Sequence, residues 1–282
     1  VLQLIADLPG NGPSFLKKVR SLGIPALYAY TLPSKGSSNP VKRGWQRFLL
    51  RRNFNSLDCI IANSRANRDQ LVRLGVKRRV EVILNGVDLA TYYPAADETE
   101  KAHWRGRLSC PPEGEMVVSV GAVHPRKGAD LLLKAWSRSA DDMPDAHLYF
   151  IGMRHDRNNP KLKKFGQSVE ALAASSGAAD RIHFLGYVPN VAEYLKAADL
   201  FLFPSRIEGM PNAMIEAMAC GVPVVVCPFI GFSPDLGRPD EHFVRVDHHP
   251  EAIAKAAIDL LRDRRRRQRL GQNARAWAAQ TM

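Results

Sequence analysis

Residues Ala198–Cys227 read ADLFLFPSRIEGMPNAMIEAMACGVPVVVC. Within them, Leu200-Phe201-Leu202-Phe203 is an apolar run too short for a helix and rich in β-formers, which predicts a buried strand. Pro204-Ser205 ends it and a polar loop follows. From Pro211 or Asn212 to Cys220 the pattern is helical. Asn212 suits the N-cap, and Gly221 suits the left-handed position after the last turn. Val222 to Val226 reads as a second strand. A strand–loop–helix–strand order implies parallel strands joined by a right-handed crossover, and so an α/β fold.

The helix in this unit is apolar on every face: Ala213, Met214, Ile215, Ala217, Met218 and Ala219. Such a helix is normally buried all round. Glu216 interrupts it, and a carboxylate is rarely buried without a partner. Glu208 lies in the loop before the helix, at the carboxyl end of the strand, where open α/β sheets bind their ligands. A helix start also offers N–H groups and a positive dipole end to an anion. Pro211 has no N–H, so Gly209, Met210, Asn212 and Ala213 are the candidate donors. The pattern suits two carboxylates facing hydroxyl groups and an amide cluster facing phosphate. The competing reading is a purely structural crossover with an incidental salt bridge at Glu216.

A chain of 282 residues predicts two domains. With 45% hydrophobic residues it can bury an ordinary core. The first residues, VLQLIADLP, do not have the pattern of a signal peptide, and no run approaches a membrane span. Cys59, Cys110, Cys220 and Cys227 show no metal spacing, and the eight histidines form no ligand set. Scattered small apolar cysteines fit a reducing cytoplasm. The net charge of +12 implies an anionic partner. No nucleic-acid-binding motif accompanies it, and no G-x-G-x-x-G follows the first strand, as a nicotinamide-dependent oxidoreductase would require.

Elsewhere the pattern alternates strand and helix, which predicts Rossmann-like layers. In the first part, strands are expected at 1–7, 24–31, 57–62 and 80–84, with helices at 13–22, 40–54 and 64–75. The domains are expected at 1–94 and 116–282, separated by a polar linker over 95–115 that Pro111-Pro112 breaks. Met116–Val120 is a strand, followed by GAVHPRKG and a helix from Ala129. Arg126 and Lys127 therefore occupy a strand-to-helix loop on the same sheet edge as Glu208. Lysine offers phosphate a compact charge and arginine a planar fork. A final amphipathic helix is expected over 249–262, with a solvated basic face over Arg262–Arg269.

In KRGWQRFLLRR, Arg43, Arg47 and Arg51 fall on one helical stripe, and Trp45, Phe48 and Leu49 on another. That pattern suits a helix lying on an anionic membrane surface. The competing reading is a surface helix that packs Trp45 into the core.

Glu208 and Glu216, within EGMPNAMIEAMACGVPVV and after Phe203-Pro204-Ser205, resemble the E-x7-E signature of the family-4 retaining glycosyltransferases. ANSRANRDQLVRLGV and NGVDLATYYP resemble the end of that family's first domain. The resemblance implies the GT-B architecture, two facing Rossmann-like domains with mostly parallel sheets. It implies transfer of a hexose from a nucleoside-diphosphate sugar to a hydroxyl acceptor, glycan or lipid-linked, with no metal and no cofactor. Lys127 and Arg126 would hold the diphosphate, with Ala122 where the family has arginine. Glu208 would orient the sugar and Glu216 would accept from the ribose diol. The Gly186-Tyr187-Val188 turn would face the base.

Other positions depart from the family pattern. Asp235 is the residue available where the family has a glutamate, and Thr31 stands where a histidine is common. The family's first strand and glycine-rich loop have no match here, nor has its last crossover helix. The first domain is therefore expected to be incomplete and the chain truncated at both ends. A fragment that binds nucleotide-sugar without turnover is the alternative to an active transferase, and a Rossmann oxidoreductase a remote one.

Overall fold

A computed structural model describes residues 2–4, 21–23, 25–33, 36–154 and 159–282. The chain divides into two compact units. The first comprises Val1–Asn85, Ile207–Met210 and Ile230–Leu236; the second comprises Gly86–Arg206, Pro211–Phe229 and Gly237–Met282.

The first unit holds β1 (Leu2–Leu4), β2 (Ala26–Tyr30), α1 (Pro40–Phe54), β3 (Cys59–Ala62), α2 (Arg65–Arg73) and β4 (Arg79–Val82). Its strands form one parallel sheet in the order β1-β2-β3-β4. Alternate residues of β2, Ala26, Tyr28 and Tyr30, are buried. Both tyrosine rings meet Phe54 of α1 edge-on, and Leu57, Ile60 and Leu71 complete the core. Asn39 starts α1, its side chain accepting from Val41 N at 3.0 Å and Lys42 N at 3.1 Å. The helix expected over 13–22 lies outside the described residues save for its end.

The second unit holds α3 (Glu98–Arg107), β5 (Met116–Val120), α4 (Ala129–Ser139), β6 (His147–Ile151), α5 (Pro160–Ala174), β7 (Ile182–Gly186), α6 (Val191–Ala197), β8 (Leu200–Phe203), α7 (Asn212–Ala219), β9 (Val224–Val226), β10 (Val244–Arg245), α8 (Pro250–Arg262) and α9 (Arg264–Thr281). The six strands are parallel, in the order β10-β9-β8-β5-β6-β7. All four residues of β8 and all three of β9 are buried, as their unbroken apolar runs require. Trp136, Leu132 and Leu133 of α4 pack with Ile253, Ala257 and Leu260 of α8 in the main core.

Three expectations need correction. Residues 95–115 are not a linker: Glu98–Arg107 form α3, which docks within the second unit. Asp97 caps this helix, its Oδ1 accepting from Glu100 N at 2.9 Å. Buried Arg105 then bonds the Ala197, Pro112 and Gly114 carbonyls and pairs with Asp199. The other oxygen of Asp199 takes Lys101 Nζ at 2.5 Å. Polar composition thus concealed a helix held by ion pairs. Second, Asn212 is not the N-cap of α7; Pro211 occupies that place and Asn212 is the first helical residue. Gly221 does sit at φ +70° after the last turn. Third, the helix over Pro250–Arg262 is not the last. The basic run opens α9, whose buried Leu270, Gly271, Ala274 and Ala278 face the protein. A Cβ on Gly271 would overlap the Gly221 carbonyl, so glycine there lets α9 lie directly on the end of α7. Among the described residues no helix is long and apolar enough to cross a membrane.

Candidate active site

In the second unit, Lys127 is presented by a tightly specified loop after β5. Residues Pro125–Lys127 make a single 3-10 turn. His124 Nδ1 accepts from Arg126 N at 3.0 Å, and Lys127 N donates to His124 O at 2.8 Å. Burial, then the charges of Arg126 and Lys127, push the His124 pKa down, which keeps the ring a neutral acceptor. Gly128 follows at φ +75°, where a Cβ would overlap the Pro204 carbonyl. The Lys127 stem lies against Gly121, and its ammonium stands 5.6 Å from the centre of the Phe203 ring. A half-buried cation is thereby held at the carboxyl end of β8.

Arg126 contributes its carbonyl to the same brace, accepting from Arg206 N at 2.7 Å and Ser205 Oγ at 3.3 Å. Arg206 is a residue that the sequence reading passed over. Its guanidinium takes both oxygens of Asp130 at 3.0 and 3.1 Å and the Pro125 carbonyl at 2.6 Å. It ties the start of α4 to the loop after β8. The only signal in sequence was a basic residue closely preceding Glu208. His248 is half-buried and its Nε2 lies 3.0 Å from Ser205 O.

Helix α7 places Glu216 about one turn from its N-terminus. Burial pushes the Glu216 pKa up, and a hydrogen bond from the Tyr92 hydroxyl opposes that rise. The opposite effect holds on Tyr92, whose pKa is pushed up to about 12 by burial and then by the Glu216 charge. The side-chain partner of Glu216 is therefore a neutral hydroxyl. Asn212 is exposed and Ala213 half-buried at the start of the helix, where Pro211 supplies no side-chain cap. On the edge strand β7, Gly186 turns at φ +72° and its carbonyl accepts from Gly152 N at 2.8 Å. Tyr187 beyond it is 86% exposed.

Glu208, Gly209 and Met210 group with the first unit and are buried there. Glu208 N donates to Ile230 O at 3.1 Å. Gly209 packs so closely on Thr31 that a Cβ would overlap the Thr31 carbonyl, and Gly231 does the same against the Glu208 carbonyl. Thr31 therefore borders Gly209, and its carbonyl also accepts from Asn63 Nδ2 at 3.2 Å. Asp235, the residue available where the family has a glutamate, is engaged at the start of a helix. It is buried in the first unit, and its Oδ2 accepts from Arg65 N at 2.6 Å at the start of α2, with Ser233 Oγ at 2.7 Å.

Lys127, Arg126, Asn212, Ala213, Glu216 and Gly186-Tyr187-Val188 thus lie at, or within one helical turn of, the carboxyl edge of one parallel sheet. Among the described residues no group of three His, Cys, Asp or Glu side chains is placed to hold a metal ion.

Residues 100–277 match the family described as "Glycosyl transferases group 1", and residues 7–91 match "Glycosyltransferase Family 4". The chain is 30% identical over 207 residues to a D-inositol 3-phosphate glycosyltransferase of Jonesia denitrificans, covering 72% of this chain and 48% of that one. It is 32% identical over 225 residues to the lipopolysaccharide core biosynthesis mannosyltransferase LpsB of Rhizobium meliloti, covering 79% and 60%. It therefore spans about half the length of these curated relatives. Anabaena HepE, solved in complex with UDP-glucose, superposes with a TM-score of 0.80 at 20% identity, over 99% of this chain and 74% of that one.

Proposed function

Because this chain belongs to the glycosyl transferases of group 1, we propose that it takes part in moving a hexose from a nucleoside-diphosphate sugar to a hydroxyl acceptor, with retention of configuration. The observation that carries this reading is the fixed position of Lys127 at the carboxyl edge, braced by Gly121, Gly128 and Phe203. As the glycosidic bond breaks, charge gathers on the departing diphosphate. Lys127, Arg126 and the amides of Asn212 and Ala213 meet it with preorganised positive charge. Those groups take the part a metal ion would otherwise play. Glu208 orients the donor sugar through its hydroxyls, and Glu216 accepts from the ribose diol. The turn at Gly186-Tyr187-Val188 reads the base through its backbone.

Support for the donor class comes from HepE, solved with UDP-glucose. Support for a hydroxyl acceptor comes from the relatives named for lipopolysaccharide core and inositol phosphate, and the first of these names supports a glycan or lipid-linked one. The test is a panel of nucleoside-diphosphate hexoses and acceptors, with the anomeric configuration of the product read by NMR. A retained α-linkage from an α-donor supports the proposal, and an inverted one overturns it. Donor binding without transfer to any acceptor would favour a nucleotide-sugar-binding role.

A specific observation favours a second partner, an anionic membrane surface. Val41, Trp45 and Phe48 are exposed on α1, Trp45 by 63% and Phe48 by 47%, and the two rings stack at 5.8 Å. Trp45 therefore does not pack into the core. The expected cations Arg43, Arg47 and Arg51 are exposed as well, with Arg47 bonding the Arg73 carbonyl at 3.4 Å and the Arg51 stem lying against Gly75. The outward apolar stripe runs through Val41, Trp45 and Phe48 at i, i+4 and i+7, and Arg52 at i+11 ends it with a cation, with Lys42 beside its start. Aromatic side chains flanked by cations suit a headgroup layer.

A further inference from the structure

Tyr92 lies far from Glu216 in the sequence, yet the segment that carries it is built onto the end of α7. Tyr92 N donates to Asp88 O at 2.8 Å and Thr91 N to the same carbonyl at 3.2 Å. Asp88 Oδ2 accepts from Thr91 Oγ1 at 2.6 Å, and Oδ1 from Ala90 N at 3.0 Å. This turn is fastened to α7 by Arg275 of α9, which donates to the Tyr92 carbonyl at 3.2 Å and the Ala219 carbonyl at 3.0 Å. One guanidinium thus holds the turn that carries Tyr92 to the end of the helix that carries Glu216. Lys196 of α6 sits 3.4 Å over the Tyr93 ring, and Gly221 leaves room for Pro94. A tyrosine needed only to fill space would not require this clamp, nor a hydroxyl directed at the one carboxylate in a buried helix.

We propose that Tyr92 is a positioning residue: its hydroxyl holds the Glu216 carboxylate ionised and oriented to receive the diol of a nucleotide ribose. This rests on the reading that Glu216 binds the nucleotide. The physical reason is the partial burial of Glu216 among the apolar residues of α7. A carboxylate desolvated on an apolar helix drifts toward its neutral form, and a protonated oxygen is a poorer acceptor. The Tyr92 hydroxyl donates to the ionised form and so favours it. The other ionisable groups around the pair are Cys220 just after α7, whose pKa burial pushes up to about 12, Asp88 on the same turn as Tyr92, and the cations Lys196 and Arg275. Lys196 and Arg275 act on neighbouring Cys220. Neither is the hydrogen-bond partner of Glu216, which leaves that part to Tyr92.

The experiment is calorimetric titration of the 282-residue chain with UDP, GDP and ADP from pH 5 to pH 8, taking whichever binds. Tyr92→Phe, Glu216→Gln and the double variant are compared with the unaltered chain. Tyr92→Phe keeps the ring and its packing. It is expected to weaken binding about fivefold at pH 7. It should also move the acid limb of the affinity profile up by about half a pH unit, since a carboxylate without its donor protonates at higher pH. Glu216→Gln is expected to abolish the acid limb, and adding Tyr92→Phe to it should cost nothing further. If Glu216→Gln weakens binding while Tyr92→Phe changes neither affinity nor limb, the role of Tyr92 is overturned and the role of Glu216 stands. If Glu216→Gln leaves affinity unchanged, the reading of the site fails and the proposal with it.

Discussion

Helix α7 surrounds one carboxylate with buried Met214, Ile215, Ala217 and Met218, whereas helix α1 exposes Val41, Trp45 and Phe48 among five cations. Each breaks the ordinary rule of burial, in opposite senses. In α7 the misplaced residue is charged, and holding it there costs desolvation that folding alone gives no reason to accept. In α1 the misplaced residues are apolar, and leaving them in water forgoes burial that the first unit's core could have supplied. In the proposed function the half-buried Glu216 carboxylate faces a ligand that desolvates with it. An exposed aromatic pair points outward to a partner larger than the chain's own core. Under the proposed function the first contrast belongs to small-molecule recognition and the second to surface association.

The largest effect expected on the α7 side is that of Lys127→Ala. Loss of one preorganised cation facing a developing charge typically costs about 10²–10³ in rate. Turnover within twofold of the unaltered enzyme would remove Lys127 from the site. Gly128→Ala should act on the same function indirectly. A Cβ would overlap the Pro204 carbonyl at a φ that alanine tolerates poorly, so the loop carrying Lys127 must move. Donor affinity should fall about tenfold or more, and unchanged affinity and thermal stability would show that the loop is not as constrained as described.

Glu216→Leu sharpens the contrast by separating binding from folding. The folded-state pKa of Glu216 is raised by burial, so ionising it costs stability as pH rises through that value. Replacement by leucine should therefore leave the chain as stable or more stable at pH 7. The difference should shrink toward pH 4, where the carboxyl is protonated in both states. Nucleotide binding should be lost throughout. A variant that is less stable at pH 7 but binds normally would assign Glu216 a structural role. The smallest effect belongs to α1. Replacing Trp45 and Phe48 together by serine should reduce sedimentation with anionic vesicles about fivefold without altering donor affinity. Equal binding of the original chain to neutral and anionic vesicles would remove the electrostatic part of that reading.

What could be read in advance followed how local its cause was. The strand Leu200–Phe203, the helix after it and Gly221 were legible because apolar runs and turn glycines act on their own neighbours. Helix α3 was not, since its sequence is polar and its place depends on Arg105 and Lys101 meeting Asp199 from a distant part of the chain. Tyr92 and Arg206 were missed for the same reason: a hydroxyl or guanidinium carries no periodicity, and only the fold decides which carboxylate it meets. The partners of Asp235 were equally hidden: the sequence offers it where the family has a glutamate, and only the fold shows the open N-terminus of α2 bonded to its carboxylate.

The central claim is that the carboxyl edge of the second unit's sheet binds a nucleoside diphosphate through Lys127 and Glu216. Calorimetric titration with UDP, GDP and ADP tests it most directly, on the unaltered chain, Lys127→Ala and Glu216→Gln side by side. The account predicts saturable binding of at least one nucleotide by the unaltered chain, and at least tenfold weaker binding by each variant. Equal affinity in all three proteins would contradict it.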